Sequence, residues 1–324
     1  MCSSDLTSAT PAMRQYLDAK QQHRDALLFF RMGDFFEMFY EDALVAARAL
    51  ELTLTSRSKD ASGGGIPMCG VPFHAADTYI ARLIKKGFRV AICDQVEDPK
   101  KAKGLVKREV VRVISPGTFT DAGYLDAREP AFLMAVVRTG PADRSTVGVA
   151  LLDVSTGEFS ATEYVGADGL QAFADELTVL RPREVVVSAE STLLDVSDAR
   201  RAAAAAWPQV ADAGVPLTPL DSWAFDAEAA RRALLDQLKA GGLEGFGLDR
   251  KPAAVAAAGA LVHYLRSTQK ADLAHVRAIV YRQRADALLI DPTTLKHLEI
   301  VEGSEGGRAN SLLDELDQIG RAHV

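Results

Sequence analysis

The run Gly33-Asp34-Phe35-Phe36-Glu37-Met38-Phe39-Tyr40 places a ring that can stack and a carboxylate that can only accept hydrogen bonds two residues apart, at Phe35 and Glu37. From Phe36 onward, apolar residues recur at Phe36, Phe39, Tyr40, Ala43, Leu44, Ala47 and Leu50. That spacing predicts a helix over 36–50 with one face on a core. Phe35 and Glu37 fall outside its phase. The turn at Gly33-Asp34 would then present both side chains together at the mouth of the helix. An exposed Phe adds nothing to stability, so the ring suggests a partner surface; the alternative is that Phe35 packs under the preceding strand. Phe36 is assigned to the core.

Basic residues form a second group. Lys100, Lys101, Lys103, Lys107 and Arg108 lie within a stretch, residues 84–112, that holds nine Lys/Arg against four Asp/Glu. Residues 7–117 carry 17 Lys/Arg against 13 Asp/Glu, whereas the whole chain has a net charge of −7. A phosphate-facing surface needs such a local excess, although a solvated face can have the same composition. Met68, after the glycine run 63–65, either lies beside the same surface or fills the core. His74 could cap a helix start and is assigned no chemistry. Asp153 ends an apolar run before Ser155-Thr156-Gly157, a place where RNase H-like nucleases hold magnesium. One acid cannot hold two metals. Catalytic residues are therefore assigned nowhere, and a metal-dependent nuclease stays as the alternative function. Cys69 and Cys93 are unpaired cysteines in apolar settings, which suits a reducing compartment, and no C-x-x-C or His pair suggests a zinc site. The glycine run lacks a following Gly-Lys-Ser/Thr, so it is not a phosphate-cradling loop, and no ATP hydrolysis is expected.

The elements that must position these groups follow from pattern. Thr10 as N-cap and Pro11 at the first helical position open a helix with Met13, Tyr16 and Leu17 on one face. Strands are expected at 26–32, 52–55, 88–92 and 110–114, with a helix capped by Asp77 and ended by Gly87. Strands interleaved with helices give a compact α/β unit that ends at Ser115-Pro116-Gly117. Beyond it, strands at 131–138, 146–153 and 158–164, a helix over 168–180 and a strand at 184–187 follow in the order of an RNase H-like layout. After the glycines at 241–247, the Ala-rich stretch 252–267 reads as a helix buried by neighbouring helices. The expected organisation is thus α/β: a mixed-sheet domain over 7–117, an RNase H-like domain over 118–250, and the start of an all-α unit over 251–318.

The composition, 48% hydrophobic and 25% charged, is that of an ordinary globular protein. No apolar run has the length to span a bilayer and no secretory signal is evident, so no membrane partner is expected and the cytoplasm is the default. The ends read as adapter-derived. The codons GTG-TGC-TCT-TCC-GAT encode residues 1–5, and their reverse complement encodes residues 319–323, Ile-Gly-Arg-Ala-His. Residues 1–6 and 319–324 are therefore set aside, and an open fragment of a longer protein is expected.

Four blocks in order carry a family likeness: Phe30-Arg31-Met32-Gly33-Asp34-Phe35-Phe36-Glu37, Ile66-Pro67-Met68-Cys69-Gly70-Val71-Pro72-Phe73-His74, Val90-Ala91-Ile92-Cys93-Asp94-Gln95, and Val110-Val111-Arg112-Val113 with Ser115-Pro116-Gly117-Thr118. They resemble the amino-terminal region of the MutS family of bacterial mismatch-repair proteins, and the likeness continues more weakly to about residue 317. The resemblance implies a mismatch-recognition domain, a connector and the first segment of a helical lever. It implies that Phe35 and Glu37 are the Phe-X-Glu reader, the ring stacking on a mispaired base from the minor groove and the carboxylate accepting a hydrogen bond from it. Double-stranded DNA with mispairs or small loops is the implied partner, with MutL engaged through the connector. For the full-length protein it implies a homodimer and an ATPase using ATP and magnesium; no cofactor is implied for this part. A relative that binds branched DNA without reading mismatches is a further alternative, against which Phe35 and Glu37 argue.

Overall fold

The computed structural model describes residues 10–59, 65–97, 104–121, 123–124, 130–141, 145–189, 196–270, 273–283 and 290–317. The first domain is built on α1 (Pro11–Gln22), β1 (Leu27–Met32), β2 (Phe35–Phe39), α2 (Tyr40–Leu50), β3 (Thr55–Lys59), β4 (Gly65–Pro72), α3 (Ala76–Lys85), β5 (Val90–Gln95) and β6 (Arg108–Ile114). Its six strands form one sheet in the order β3-β4-β2-β1-β5-β6. Only the central β1 and β5 run parallel, starting from Leu27 opposite Val90; every other pair is antiparallel.

Period-two alternation sends side chains to opposite faces of this sheet. Leu27, Phe29, Phe36 and Met38 pack with Ala43, Ala46, Ile80 and Leu83 under α2 and α3. Leu28, Phe30, Phe39 and Met68 pack with Met13, Tyr16 and Leu17 of α1. As expected, α1 opens with the Thr10 hydroxyl accepting from the Met13 amide and Pro11 in its first turn. Asp42, 4% exposed, ties three elements together: it accepts from the Tyr16 hydroxyl at 3.2 Å, the Leu28 amide at 3.0 Å and the Lys20 ammonium at 2.8 Å. Burial, then the Asp42 charge, pushes the Tyr16 phenol well above its ordinary range.

Two expectations for this domain are corrected. The helix expected over 36–50 is a strand followed by a helix, β2 then α2, with Tyr40 at φ 55° where the chain changes course. Asp77 lies in the first turn of α3, and the residue that caps that helix is Ala75.

The second domain has β7 (Phe132–Thr139), β8 (Thr146–Asp153), β9 (Phe159–Val165), α4 (Gly166–Leu180), β10 (Glu184–Ala189), α5 (Val196–Ala206), α6 (Pro208–Asp212), β11 (Leu217–Asp221), α7 (Ala227–Leu238), α8 (Pro252–Gln269) and β12 (Val280–Tyr281). Short helices α9 (Pro292–His297) and α10 (Leu312–Leu316) follow. The sheet order is β11-β10-β7-β8-β9-β12, an antiparallel meander continued by parallel strands. The strand, strand, strand, helix, strand order expected from the sequence is present. One face is covered by Phe173 and Leu177 of α4 with Ala203, Trp207 and Val210 of α5 and the segment after it. The other is covered by α7 and α8.

Helix α8 corrects the expected boundary at 251 and the reading of this stretch as the start of an all-α unit. Its alanines pack on Leu133, Ala135, Ala150 and Leu152 of the second sheet and on Leu234 of α7, so it belongs to the second domain. Small residues permit the approach. A Cβ at Gly148 would lie 2.0 Å from the Ala253 carbonyl oxygen, and one at Gly259 2.3 Å from the Ala230 Cα.

Candidate nucleic-acid interface

Strands β1 and β2 are joined by the two-residue loop Gly33-Asp34, with Met32 paired to Phe35. Gly33 has φ 61° while Asp34 is not in the left-handed region, the pattern of a tight hairpin turn with glycine first. The Phe73 amide donates to the Asp34 carbonyl at 2.8 Å, tying the tip to the end of β4. Arg31 donates from Nε to the Gly33 carbonyl at 2.5 Å and lays its guanidinium 3.4 Å from the centre of the Phe73 ring. The tip is therefore braced by polar and cation–π contacts from the strand beside it.

Phe35 begins β2 at this tip and is 47% exposed, whereas Phe36 is 3% exposed. The strand, and not a helical phase, separates them: Phe36 points to the α2/α3 face, and Phe35 and Glu37 share the α1 face. Two strand residues span about 7 Å, so the ring leads and the carboxylate stands behind it. They are not presented together as expected, because Glu37 is 7% exposed. It lies between Phe30 on β1 and Gly70 on β4. A Cβ at Gly70 would stand 3.5 Å from the Glu37 Cγ, an ordinary contact, so the two positions pack directly against one another. Met68 is on the same sheet face, paired with Phe39, and is buried among α1 side chains.

The parallel pairing of β1 and β5 fixes a second relation. Both strands run the same way, so the Gly33-Asp34 turn and the connection after Gln95 lie at one end of the sheet. Lys100, Lys101 and Lys103 fall in that connection, outside the described residues. Arg108 returns beside the hairpin: Nε donates to the Arg31 carbonyl at 2.6 Å, and the guanidinium sits 5.3 Å from the centre of the Phe30 ring. Burial lowers its pKa from the ordinary arginine value. Lys107 is exposed and pairs with Glu109 at 2.6 Å, and the pair raises the lysine and lowers the glutamate. Of the five basic residues, Arg108 thus supports the hairpin and Lys107 shares its charge with a neighbour.

Arg31 and Phe73 were missed by sequence reasoning as site residues. The alternating aromatic run after a Gly-Asp pair was the signal that could have found them, since it marks a hairpin whose strands must carry flanking neighbours.

Asp153 has a different task from the one weighed for it. It is 4% exposed and its oxygens accept from Ser155 N at 2.8 Å, Ser155 Oγ at 2.6 Å, Thr156 N at 3.3 Å and Ala131 N at 3.2 Å. Burial would raise this carboxyl, but the hydrogen bonds outweigh it and hold the pKa below its ordinary value. The group closes the β8–β9 turn. Among the described residues no three His, Cys, Asp or Glu side chains are gathered as a metal site. Cys69 and Cys93 are buried free thiols, pushed by burial up to about 11 and about 12. No helix among the described residues is long and apolar enough to cross a membrane.

Comparison with known proteins agrees with this architecture. Residues 10–123 match the family model described as MutS domain I, and residues 131–277 match MutS domain II. The second match covers α8, in keeping with its packing on the second sheet. The chain is 47% identical over 297 residues to the DNA mismatch repair protein MutS of Solibacter usitatus, covering 91% of this chain and 32% of that protein. It is 44% identical over 310 residues to the protein of that name from Desulfatibacillum aliphaticivorans, covering 95% and 33%. For the protein from Methanococcoides burtonii the figures are 42% over 309 residues, covering 95% and 33%. The chain spans about a third of the length of these relatives. With both domains matched in order on two sheets of the corresponding extent, this chain belongs to the MutS family of DNA mismatch-repair proteins.

Proposed function

We propose that this chain recognises mispaired or looped-out bases in duplex DNA, with Phe35 as the wedge and Glu37 as the hydrogen-bond acceptor behind it. The observation that carries this reading is the exposed Phe35 ring at the tip of a braced hairpin, beside a buried ring of the same type at Phe36. A wedge inserted between base steps must meet an unstacking cost of a few kcal/mol, and that cost is least where pairing is already faulty. A rigid tip serves this purpose because little of the ring's stacking energy goes into ordering it. Recognition then follows deformability and not sequence. Glu37 is nearly covered in the free chain, so its carboxylate turns outward from between β1 and β4 to meet a base. Lys100, Lys101 and Lys103 supply phosphate contacts that do not depend on sequence. The second domain is the surface for MutL, and the homodimer, ATP and magnesium belong to the activity of the whole protein.

Fluorescence-anisotropy titration of mismatched and matched duplexes tests the wedge. Phe35→Ala removes the preference for mismatched duplex and leaves matched binding within about twofold, since base–aromatic stacking is worth about 1–3 kcal/mol. A variant that keeps the preference overturns the reading. Replacing Lys101 and Lys103 weakens both duplexes alike and reduces the salt slope by about one unit for each phosphate no longer neutralised.

A further inference from the structure

Arg31 stands on the opposite face of the first sheet from the wedge. It pairs across β1 and β2 with Phe36, and period-two alternation sends it with Phe29 and Phe36 to the side away from Phe35 and Glu37. Its guanidinium carbon lies 3.4 Å from the centre of the Phe73 ring and 5.5 Å from that of Phe36, and the two rings are 5.7 Å apart. Its Nε donates to the Gly33 carbonyl. Arg31 therefore grips the turn from behind, through the backbone, without touching the face that carries the wedge.

We propose that Arg31 is the positioning residue of the reader: seated on Phe73, it fixes the Gly33-Asp34 turn so that Phe35 meets the duplex at one angle, and mismatch discrimination depends on it. The inference rests on Phe35 being the wedge. Packing does not hold this turn. A Cβ on Gly33 would have no heavy atom beyond its chain neighbours within 4 Å among the described residues, and glycine is the residue with the most backbone freedom to lose. Hydrogen bonds hold it instead. The carbonyls of Arg31, Gly33 and Asp34 accept in turn from Arg108 Nε, Arg31 Nε and the Phe73 amide, and Phe35 is the next residue.

Arg31 is the member of this set that joins the turn to an aromatic platform. A planar guanidinium can donate along its edge to a carbonyl and lie flat on a ring at once, which an ammonium cannot do. The stack also accounts for Phe73, a large ring left 46% exposed at the end of β4. A tip free to swing spends part of its stacking energy on being ordered. That loss falls on the mismatched complex, where the ring is inserted, and spares matched binding, which draws on phosphate contacts.

Fluorescence-anisotropy titrations of the whole chain with mismatched and matched duplexes, over a range of salt, separate positioning from a phosphate contact. Arg31→Gln and Arg31→Lys both lower the mismatch-to-match ratio about three- to tenfold, with matched affinity and its salt slope unchanged. Phe73→Leu, which keeps the amide and removes the ring face, moves the ratio the same way. In the free chain, hydrogen exchange at the Phe73 amide is faster in Arg31→Gln, because the turn it bonds to is no longer held. Added to Phe35→Ala, Arg31→Gln brings no further loss of ratio, since it acts only through the ring. A ratio restored by Arg31→Lys, or both duplexes weakened alike with a salt slope lower by about one, makes Arg31 a phosphate contact and overturns the proposal. A ratio kept in Arg31→Gln but lost in Phe35→Ala also overturns it and leaves the wedge standing. A ratio kept in Phe35→Ala overturns the wedge itself, and the role of Arg31 with it.

Discussion

Phe35 and Phe36 are adjacent residues of one type whose substitution should fail in opposite ways. Phe36→Ala leaves a cavity beside Phe29 and Val71 and should cost about 3–5 kcal/mol in chemical denaturation, with mismatch preference retained at temperatures where the variant stays folded. Phe35→Ala should melt within about 1 °C of the wild type, because an exposed ring has little burial to lose. Glu37→Gln keeps the shape of the side chain and removes its charge. It should tighten binding to matched duplex and reduce the mismatch-to-match ratio, since a carboxylate approaching phosphates is repelled. Equal effects on both duplexes would mean that Glu37 does not meet a base.

At the scale of elements, Asp153 shows how one carboxylate sets a turn. Its pKa is depressed in the folded state by the hydrogen bonds that close β8 to β9. Its stabilising contribution is therefore present above the unfolded value of about 3.9 and is lost as pH falls through the lower folded value. Asp153→Asn should lower the melting temperature at pH 7 and flatten the acid limb of the stability profile below about pH 4; an unchanged acid limb would exclude this role. Elements were legible where pattern and punctuation agreed. Thr10-Pro11 marks the start of α1 correctly, and β8 runs over the expected 146–153. In β2 they disagreed. Five residues are too few to separate a period of two from 3.6, and Phe36, Phe39 and Tyr40 satisfied the helical spacing while Gly33-Asp34 signalled a hairpin. Strands β4 and β11 were hidden by Pro67, Pro72 and Pro219, residues that argue against strand; β11 is an edge, and Pro67 stands opposite Ser56 where the β3 register shifts. The ring at Phe35 was identified by its position, but Glu37's burial was not, because it depends on Phe30 and Gly70, which sequence does not place beside it.

Across the whole molecule, the two domains meet at Glu184, which is fully buried and accepts from both sides of the junction. Burial raises the Tyr264 phenol, with Arg89 opposing and Glu184 reinforcing, so the hydroxyl stays a donor over the whole working range. Arg112 and Gln269 add a bond at 2.9 Å between β6 and α8. Glu184→Ala leaves the Ser115, Gly117, Thr218 and Tyr264 donors without their acceptor and should cost about 3–5 kcal/mol. Calorimetry should then resolve two transitions in place of one, and protease should cut within 115–131 sooner. A single transition moved down as a unit would show that the junction is held by other contacts.

The parallel pair at the centre of the first sheet has a consequence for synthesis. Leu27 finds Val90, its β5 partner, only after the whole stretch between them has left the ribosome, whereas the β1–β2 hairpin can form as soon as Phe39 emerges. Pairing of such distant segments is slow to nucleate, so the nascent hairpin waits with one long edge open. A chain stopped after residue 89 should remain protease-sensitive and aggregation-prone, and one extended to residue 123 should gain protection in pulse proteolysis as β5 and β6 close that edge. The exposed ring at the tip is therefore held in its folded position by residues made long after it.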